Sequence, residues 1–309
     1  MKNYISQLKD LLQAGAWTQA QLAQELKVSF AALNRWLQGH AIPHPQKLAA
    51  IAKFHRERVG YPAISAQELK VCIVQSKALR RKNLWNLIAK HQALQDDLLL
   101  EHTYNSTAIE GTTLTKRETE AVIFAQNMIA DKSLVEHLEV GNHATVLRNL
   151  FQKKFPDQIN EDLIKLMHQG LMHSLREDAG QYSKFQRAIR GLDMTLTHPD
   201  DIPEEMSGLL HEWDSHRVKT IREIAEFHVG FELIHPFGDG NGRLGRLLMV
   251  LQCLKLNYPP VIIENAKKSE YDDVLEYAQR KSVGPFVIFL TSEMAKTERI
   301  LKKYLGPNR

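Results

Sequence analysis

One stretch of twelve residues, 235–246, combines side chains that could act together on a phosphorylated substrate. It reads His-Pro-Phe-Gly-Asp-Gly-Asn-Gly-Arg-Leu-Gly-Arg, and helical patterns precede and follow it. Three glycines within five positions, Gly238, Gly240 and Gly242, allow the backbone N–H groups to turn towards one point. A helix that begins at Arg243 would add the positive end of its dipole to these groups. The pattern therefore predicts an anion site suited to phosphate.

The side chains of the same stretch add the other parts of a phosphate chemistry. Arg243 and Arg246 are three residues apart, so they share a helix face and place two guanidinium groups beside the anion site. Asp239 offers a hard oxygen ligand to Mg²⁺, and the imidazole of His235 can accept a proton near neutral pH. A glycine-rich loop with solvated charges is the simpler alternative. The combination of base, metal ligand and paired arginines favours a polyphosphate site over it.

This stretch resembles the Fic family motif, His-Pro-Phe-x-(Asp/Glu)-Gly-Asn-Gly-Arg-x-x-Arg, at every fixed position, and the resemblance extends from about Leu79 to Tyr304. Family members are all-helical and transfer AMP from ATP to a hydroxyl side chain of a target protein. The resemblance implies that His235 deprotonates a Ser, Thr or Tyr of the target for attack on the α-phosphate. Relatives that phosphorylate carry Lys where this chain has Gly242, so the glycine favours AMP transfer.

The resemblance also implies the ligands, ATP and Mg²⁺, and assigns residues to them. Asp239 would hold Mg²⁺, Asn241 and the amides of Gly240 and Gly242 the α- and β-phosphates, Arg243 the β-phosphate, and Arg246 the γ-phosphate. Tyr271 resembles the aromatic residue that lines the adenine pocket. Many relatives have a second aromatic residue and an Asn after it, where this chain has Asp272 and Gln279.

Two further segments resemble family features. Residues 186–197, with Gly191 near the turn, resemble the short β-hairpin flap that clamps the main chain of the target by strand addition. The backbone of the flap would border the nucleotide near Arg190, Gly191, Leu192 and Asp193. Ser106, Glu110 and Gly111 fit the Ser/Thr-x-x-x-Glu-Gly pattern of the autoinhibitory helix. Without the resemblance, Gly111 would read as a helix C-cap and Glu110 as a surface carboxylate.

The N-terminal residues predict a pair of short helices joined by a tight turn. Thr18 caps a run that ends at Val28, Ser29 caps a second run that stops at Gly39, and prolines at 43 and 45 begin a third helix. Two capped helices joined by about three residues are typical of a helix-turn-helix. The pattern resembles the lambda-repressor-like (XRE-type) DNA-binding domains over residues 4–56.

In that geometry the second helix lies in the major groove of double-stranded DNA, usually as part of a dimer. Phe30, Ala31, Asn34 and Arg35 would then face the bases, because Asn can pair with adenine and Arg with guanine. Residues 1–60 carry eight basic and three acidic side chains, a net charge of +5. Because the whole chain has a net charge of +4, the remaining residues have a net charge of −1. A basic module suits a polyanion. The alternative is that this module docks or dimerises with protein.

The composition and the sequence patterns argue against a disordered, membrane-spanning, secreted or zinc-binding protein. Hydrophobic residues at 43% and charged residues at 25% are typical of a globular protein, and 309 residues accommodate one large domain and a small one. No apolar stretch approaches the ~18 residues of a membrane span, and the N-terminus lacks the apolar core of a signal peptide. Two cysteines and the spacing of His211 and His216 fit no zinc site. We expect a cytoplasmic, DNA-associated protein without a membrane partner.

The sequence therefore predicts an all-α fold in three segments. Residues 1–60 form a helix-turn-helix domain, residues 61–78 a linker, and residues 79–309 a Fic domain with an inhibitory helix and a β-hairpin flap. The favoured function is a homodimeric, autoinhibited protein adenylyltransferase tethered to DNA or to a DNA-associated target. Removal of AMP by the same residues is a second reading. The alternative is a DNA-binding transcriptional regulator that uses the Fic body as a nucleotide-sensing or dimerisation module.

Overall fold

A computed structural model describes residues 3–15, 17–60, 64–186 and 196–307. The chain divides into two compact units, residues 1–64 and 65–309. Every regular element in the described ranges is a helix, which confirms the predicted all-α class. Of the predicted hairpin flap, residues 187–195 lie outside the described residues, and with them Arg190, Gly191, Leu192 and Asp193.

The first unit is a bundle of four helices. Their bounds are α1 Asn3–Ala14, α2 Gln19–Glu25, α3 Phe30–Leu37 and α4 Pro45–Arg58. Apolar side chains from all four helices form its core, among them Leu8, Leu22, Leu33, Trp36 and Ile51.

Local capping explains where α2 and α3 begin. The Thr18 hydroxyl accepts a hydrogen bond from the Gln21 backbone, and the Gln21 side chain accepts one from the Thr18 backbone, which makes a capping box. The Ser29 hydroxyl caps α3 in the same way through the Ala32 amide. Gly39, just past α3, has φ +74°, a left-handed conformation that glycine adopts without strain. The predicted helix-turn-helix is thus formed by α2 and α3.

The second unit contains eleven α-helices and two short 3₁₀ helices in the described ranges. The α-helices are α5 Ala66–Ala78, α6 Leu84–Lys90, α7 Gln92–Glu110, α8 Lys116–Ala125, α9 Leu134–Phe151, α10 Glu161–Leu171, α11 Ile202–Ser215, α12 Ile221–Ile234, α13 Asn241–Lys255, α14 Lys268–Arg280 and α15 Gly284–Leu305. The 3₁₀ helices are Pro199–Asp201 and Asn265–Lys267.

Residues 66–78 correct the predicted linker, because they form α5 and pack against α15. A capping box between Ser65 and Glu68 starts the helix directly after the turn-forming residues. The buried Cys72 thiol lies 3.2 Å from the Thr291 hydroxyl of α15. The turn-forming residues at 59–65 therefore mark only a short connection, and α5 belongs to the second unit.

Helix α13 lies at the centre of the second unit. It packs on α12, α7, α10, α6 and α9, and its residues from Asn241 to Leu254 are buried except Gly242. A helix that is buried on all sides cannot move without repacking its neighbours. The N-terminus of α13, which carries the glycine-rich loop, is therefore held in a fixed place.

A buried ion pair ties the entry of this unit to its last helix. Arg81 donates to both carboxylate oxygens of Glu298 at 2.7–3.2 Å and to the Gly306 carbonyl oxygen, and both ionic side chains are buried. Removing one partner of such a pair leaves a buried charge without compensation.

We therefore expect Arg81→Met to lower the free energy of unfolding by about 3–5 kcal/mol in urea titrations. Arg81→Met combined with Glu298→Leu should recover most of the loss, since no unpaired charge remains. Arg222→Met serves as the control, because the Arg222–Glu226 pair on α12 is exposed and should contribute less than about 1 kcal/mol. Equal costs for the two arginines would contradict the assignment of Arg81 as a buried anchor.

Candidate active site

An open cleft of about 390 Å³ lies in the second unit where α7, α12, α13 and α14 meet. Charged and polar side chains dominate its lining, which suits a polar ligand. From α7, α12, the following loop and α13 come Glu110, Glu232, His235, Gly242 and Arg246, and from α14 come Lys268, Tyr271, Asp272, Asp273, Glu276 and Gln279.

The loop between α12 and α13 is closed by an inward-facing asparagine. The Asn241 side chain is buried, accepts a hydrogen bond from the Phe237 amide at 2.9 Å and donates one to the Phe237 carbonyl oxygen at 2.8 Å. Helix α13 begins at Asn241 rather than at Arg243, because Gly240 (φ +77°) already turns the chain into the helix. The Asn241 side chain therefore fixes the loop, and its predicted contact with phosphate stays a prediction.

A histidine from α10, His168, packs against the loop between α12 and α13. The His168 ring stacks on Phe237 with 3.8 Å between ring centres, and its Nε2 lies 3.0 Å from the Asp239 carbonyl oxygen. The Gly180 amide donates to His168 Nδ1, so the hydrogen sits on Nε2 and is donated to Asp239. Burial lowers the pKa of His168 to about 4, which keeps the ring neutral at pH 7.

His235 forms the C-cap of α12 with φ +52°, a left-handed conformation that is uncommon for a residue other than glycine. Its side chain is 21% exposed and lines the cleft. The ring nitrogen Nδ1 is buried and lies 3.9 Å from Glu232 Oε2, one helical turn back on α12. This places Nδ1 on the protein side of the ring.

Arg246 is buried and is held by residues at the end of α7. Its Nε donates to the Ser106 hydroxyl at 2.9 Å, and its Nη2 donates to the Ser106 carbonyl oxygen at 2.9 Å and to Glu110 Oε1 at 2.6 Å. Helix α7 ends at Gly111 in the left-handed conformation, φ +112°, as the sequence predicts. Two residues of the predicted inhibitory pattern, Ser106 and Glu110, therefore contact the second arginine of the motif.

Arg246 lines the cleft, whereas Arg243 is not among the residues that line it. Arg243 Nη1 donates to Glu139 of α9 at 2.7 Å, and its Nη2 lies 3.4 Å from Asp239. Each arginine thus binds a carboxylate on a different helix, Glu139 on α9 and Glu110 on α7, and the predicted contact of Arg243 with the β-phosphate stays a prediction.

The Glu110 carboxylate occupies the N-terminal turn of α13. A Cβ added at Gly242 would overlap Glu110 Oε1, so the carboxylate contacts the backbone where the sequence predicts a phosphate. Burial alone would raise the pKa of Glu110, but the charge of Arg246 and its hydrogen bond bring this pKa below the usual value. Glu110 is therefore an anion in the anion site.

Asp239 is the residue that the sequence predicts as a ligand of Mg²⁺, and its surroundings show whether it suits that ion. Its side chain is 56% exposed, and one oxygen accepts from the Gly240 amide. Within the described ranges no three His, Cys, Asp or Glu side chains group closely enough to hold a metal ion. Mg²⁺ commonly binds through one or two carboxylates together with phosphate oxygens. A single exposed Asp beside a phosphate site fits that mode.

On the α14 side of the cleft, Tyr271 is buried rather than open to a base. Its hydroxyl lies 2.8 Å from His228 Nε2, and its ring contacts Phe286 and Phe289. Asp272 and Gln279, the positions that depart from the family pattern, line the cleft with it. The α14 surface that lines the cleft is thus more acidic than aromatic, and the predicted adenine contact of Tyr271 stays a prediction.

In the first unit, the residues predicted to read DNA share one open face of α3. Phe30 is 52% exposed, and Ala31, Asn34 and Arg35 are exposed as well, while Leu33, Trp36 and Leu37 on the opposite face are buried. Lys47 is already engaged, because its ammonium donates to the carbonyl oxygens of Leu26 and Lys27 after α2.

Sequence reasoning missed three residues at the site: Glu139, His168 and Glu232. Glu232 could have been found from its position one helical turn before His235. Glu139 and His168 carry no such signal, since they reach the loop from α9 and α10 and meet it only in the folded chain.

Comparisons with known proteins match one family to each of the two units of the chain. Residues 158–253 match the Fic/DOC family, and residues 8–60 match a helix-turn-helix family. A protein adenylyltransferase Fic of Nematostella vectensis is 32% identical over 214 residues, which are 67% of this chain and 48% of that relative. The corresponding protein of Drosophila grimshawi is 30% identical over 258 residues, which are 81% of this chain and 52% of that relative. The chain spans about half the length of these relatives.

Solved structures share the fold. Fic-1 of C. elegans superposes with a TM-score of 0.65 at 21% identity, and the match covers 92% of this chain and 96% of that one. A Fic domain containing signaling protein of Bacteroides thetaiotaomicron gives a TM-score of 0.63 at 23% identity, with 76% and 96% covered. None of the helices in the described ranges is long and apolar enough to cross a membrane.

Proposed function

Because the chain contains a Fic/DOC domain preceded by a helix-turn-helix domain, we propose that it transfers AMP from ATP to a hydroxyl side chain of a target protein. The single observation that carries the proposal is the cleft in which His235, the N-terminus of α13 and Arg246 line the same space. The curated relatives are named protein adenylyltransferases.

In the proposed reaction, the hydroxyl oxygen of a Ser, Thr or Tyr attacks the α-phosphorus of ATP. The bond from that phosphorus to the bridging oxygen breaks, pyrophosphate leaves, and the hydroxyl proton passes to His235. The N–H groups at the start of α13 stabilise the charge on the phosphates. Mg²⁺, held by Asp239, would neutralise phosphate charge when bound.

We propose further that the chain is autoinhibited by Glu110. A carboxylate and a phosphate edge offer a guanidinium similar paired oxygens. While Glu110 binds Arg246, the γ-phosphate is displaced from its cation, and the α-phosphate is not aligned for in-line attack. Catalysis of phosphoryl transfer depends mainly on the positions of the reacting groups. A displacement of these groups by about 1 Å can lower the rate ~10²-fold. Removal of AMP, with Glu110 orienting the attacking water, would use the same residues.

The helix-turn-helix is proposed to bind double-stranded DNA through the exposed face of α3. Its surface offers an amide, a guanidinium and an apolar ring, which can read adenine, guanine and the thymine methyl group. One helix-turn-helix contacts one half-site, so we propose that two copies bind as a homodimer on half-sites about 34 Å apart. In this scheme the DNA-binding unit determines which proteins come within reach of the cleft.

We expect His235→Ala to reduce AMP transfer by ~10²–10⁴-fold, because the variant lacks the proton acceptor. Labelling with α-labelled ATP and Mg²⁺ measures transfer, and calorimetry measures ATP binding, which should change little. His211→Ala on α11 is the matched control. Wild-type turnover by the His235→Ala protein would exclude the mechanism.

Glu110→Gly should increase self-labelling and target labelling well above wild type, since Arg246 is then open to the γ-phosphate. Glu110→Gly combined with Arg246→Ala should be inactive, because the cation itself is gone. Glu101→Gly on the same helix controls for the loss of a glutamate. Equal or lower labelling by the Glu110→Gly protein would show that the end of α7 is only structural.

For the DNA-binding unit, we expect the logarithm of the affinity of the full chain for duplex DNA to fall linearly with the logarithm of salt concentration. Arg35→Ala should weaken binding and relax the preference at one base pair. Lys9→Ala, which removes an exposed charge from α1, should leave base preference unchanged. No duplex binding at low salt in a mobility-shift assay would leave protein docking as the role of this unit.

A further inference from the structure

Glu232 is a buried carboxyl group that no other part of the fold explains. It lies on α12 with 6% of its surface exposed, and its Oε1 has no hydrogen-bond partner within the described residues. Oε1 packs against Gly245 of α13, where an added Cβ would lie 2.6 Å away. Oε2 faces His235 Nδ1 at 3.9 Å. The group therefore lies between the central helix and the imidazole.

Burial of this carboxyl group is unfavourable by itself. A buried polar group without a hydrogen bond costs free energy, and a buried carboxylate costs more unless it is paired. The charge of Arg246 acts on Glu232, but Arg246 donates hydrogen bonds to Ser106 and Glu110. An apolar side chain would fill this space without that cost. The position is thus better explained by chemistry at the cleft than by packing.

We propose that Glu232 is a positioning residue for His235: its carboxylate accepts a hydrogen bond from Nδ1–H and leaves Nε2 to take the proton of the target hydroxyl. The inference rests on the proposed function, in which His235 is the general base. Glu232 lies in the last turn of α12 and His235 is its C-cap, so the end of α12 sets their separation. A hydrogen bond needs an approach of about 1 Å from the present distance, and such contacts commonly shorten when substrate binds.

This arrangement has the logic of a carboxylate–histidine pair in hydrolases. The carboxylate selects the tautomer and stabilises the imidazolium that forms when the base takes its proton. The neutral acid does neither, because only the ionised form combines strong acceptance with a compensating charge. Positioning of His235 should therefore depend on the ionisation of Glu232.

The charges around Glu232 predict where that ionisation falls. Burial raises its pKa to about 8, and the charge of Arg246 opposes this rise, while those of Glu110 and Asp272 add to it. Below pH 8 the acid is mostly protonated, and above pH 8 it is mostly ionised. The rate of AMP transfer should thus rise as pH increases through about 8.

The titratable and charged groups that face Glu232 come from four helices. They are His228 on α12, His235 at the end of α12, Arg246 on α13, Glu110 on α7, and Tyr271 and Asp272 on α14.

The test compares full-length wild type with Glu232→Gln, which keeps the shape and removes the ionisation. We expect kcat to fall about tenfold to a hundredfold, which is part of the ~10²–10⁴ supplied by a general base. KM for ATP should stay within about twofold, and the rise in rate through pH 8 should disappear. Glu226→Gln, on the same helix and paired with Arg222, should match wild type in all three.

Nuclear magnetic resonance of ¹⁵N-labelled histidine gives a readout that needs no activity, with the His235→Ala protein identifying the signal. At pH 9 wild type should show the Nδ1–H tautomer of His235, and Glu232→Gln should shift the population towards Nε2–H. An unchanged tautomer, or an equal loss of rate at every pH, would overturn the inference. If wild type transfers no AMP, the proposed function fails, whereas the tautomer still tests the pairing of Glu232 with His235.

Discussion

The guanidinium of Arg246 is the charge on which the rest of the site depends. It is buried in the centre of the second unit, and a buried cation is tolerated only with paired anions and satisfied hydrogen bonds. Ser106 and Glu110 supply both. Three buried histidines around it are neutral for the same reason. Burial lowers the pKa of His102 and His228 to about 3 and that of His143 far below its usual value, and the charge of Arg246 lowers each further.

This neutrality gives the loop a rigid base. Around the predicted anion site, two of the side chains that hold the backbone are uncharged at pH 7: the amide of Asn241 and the ring of His168. They bind the backbone of Phe237 and the carbonyl oxygen of Asp239, and so hold the glycine-rich loop without occupying the N–H groups of α13. The charged groups Glu110, Asp239 and Lys268 lie instead on the open side or the rim of the cleft. Asp239 is an exception to this division, because its carboxylate also accepts a hydrogen bond from the Gly240 amide.

The sequence predicts the local parts of this arrangement and misses the distant ones. Helix ends at Thr18, Ser29 and Gly111 follow from side chains within three residues, so their caps could be read directly. The loop at 235–242 could be placed because breakers and helical periodicity bound it. Arg243 could not be oriented, because its partner Glu139 is 104 residues away in the chain. Helix α5 was missed because turn-forming residues next to it suggested a longer connection, while its capping box lies only at its first residues.

The position of Glu139 suggests how the end of α7 and the motif are coupled. One of its carboxylate oxygens accepts from Arg243, and the other accepts from the hydroxyl of Thr112, two residues after Glu110. The preceding turn of α9 holds Thr113 through Glu136, whose pKa falls to about 2 because Thr113 donates to it from backbone and side chain. Both arginines of the motif are therefore bound, directly or through α9, to the same end of α7. On the proposed mechanism, ATP must replace Glu110 at Arg246 while Glu139 still fixes the turn beyond it. Release then requires only the Glu110 side chain to move, and α7 can stay in place.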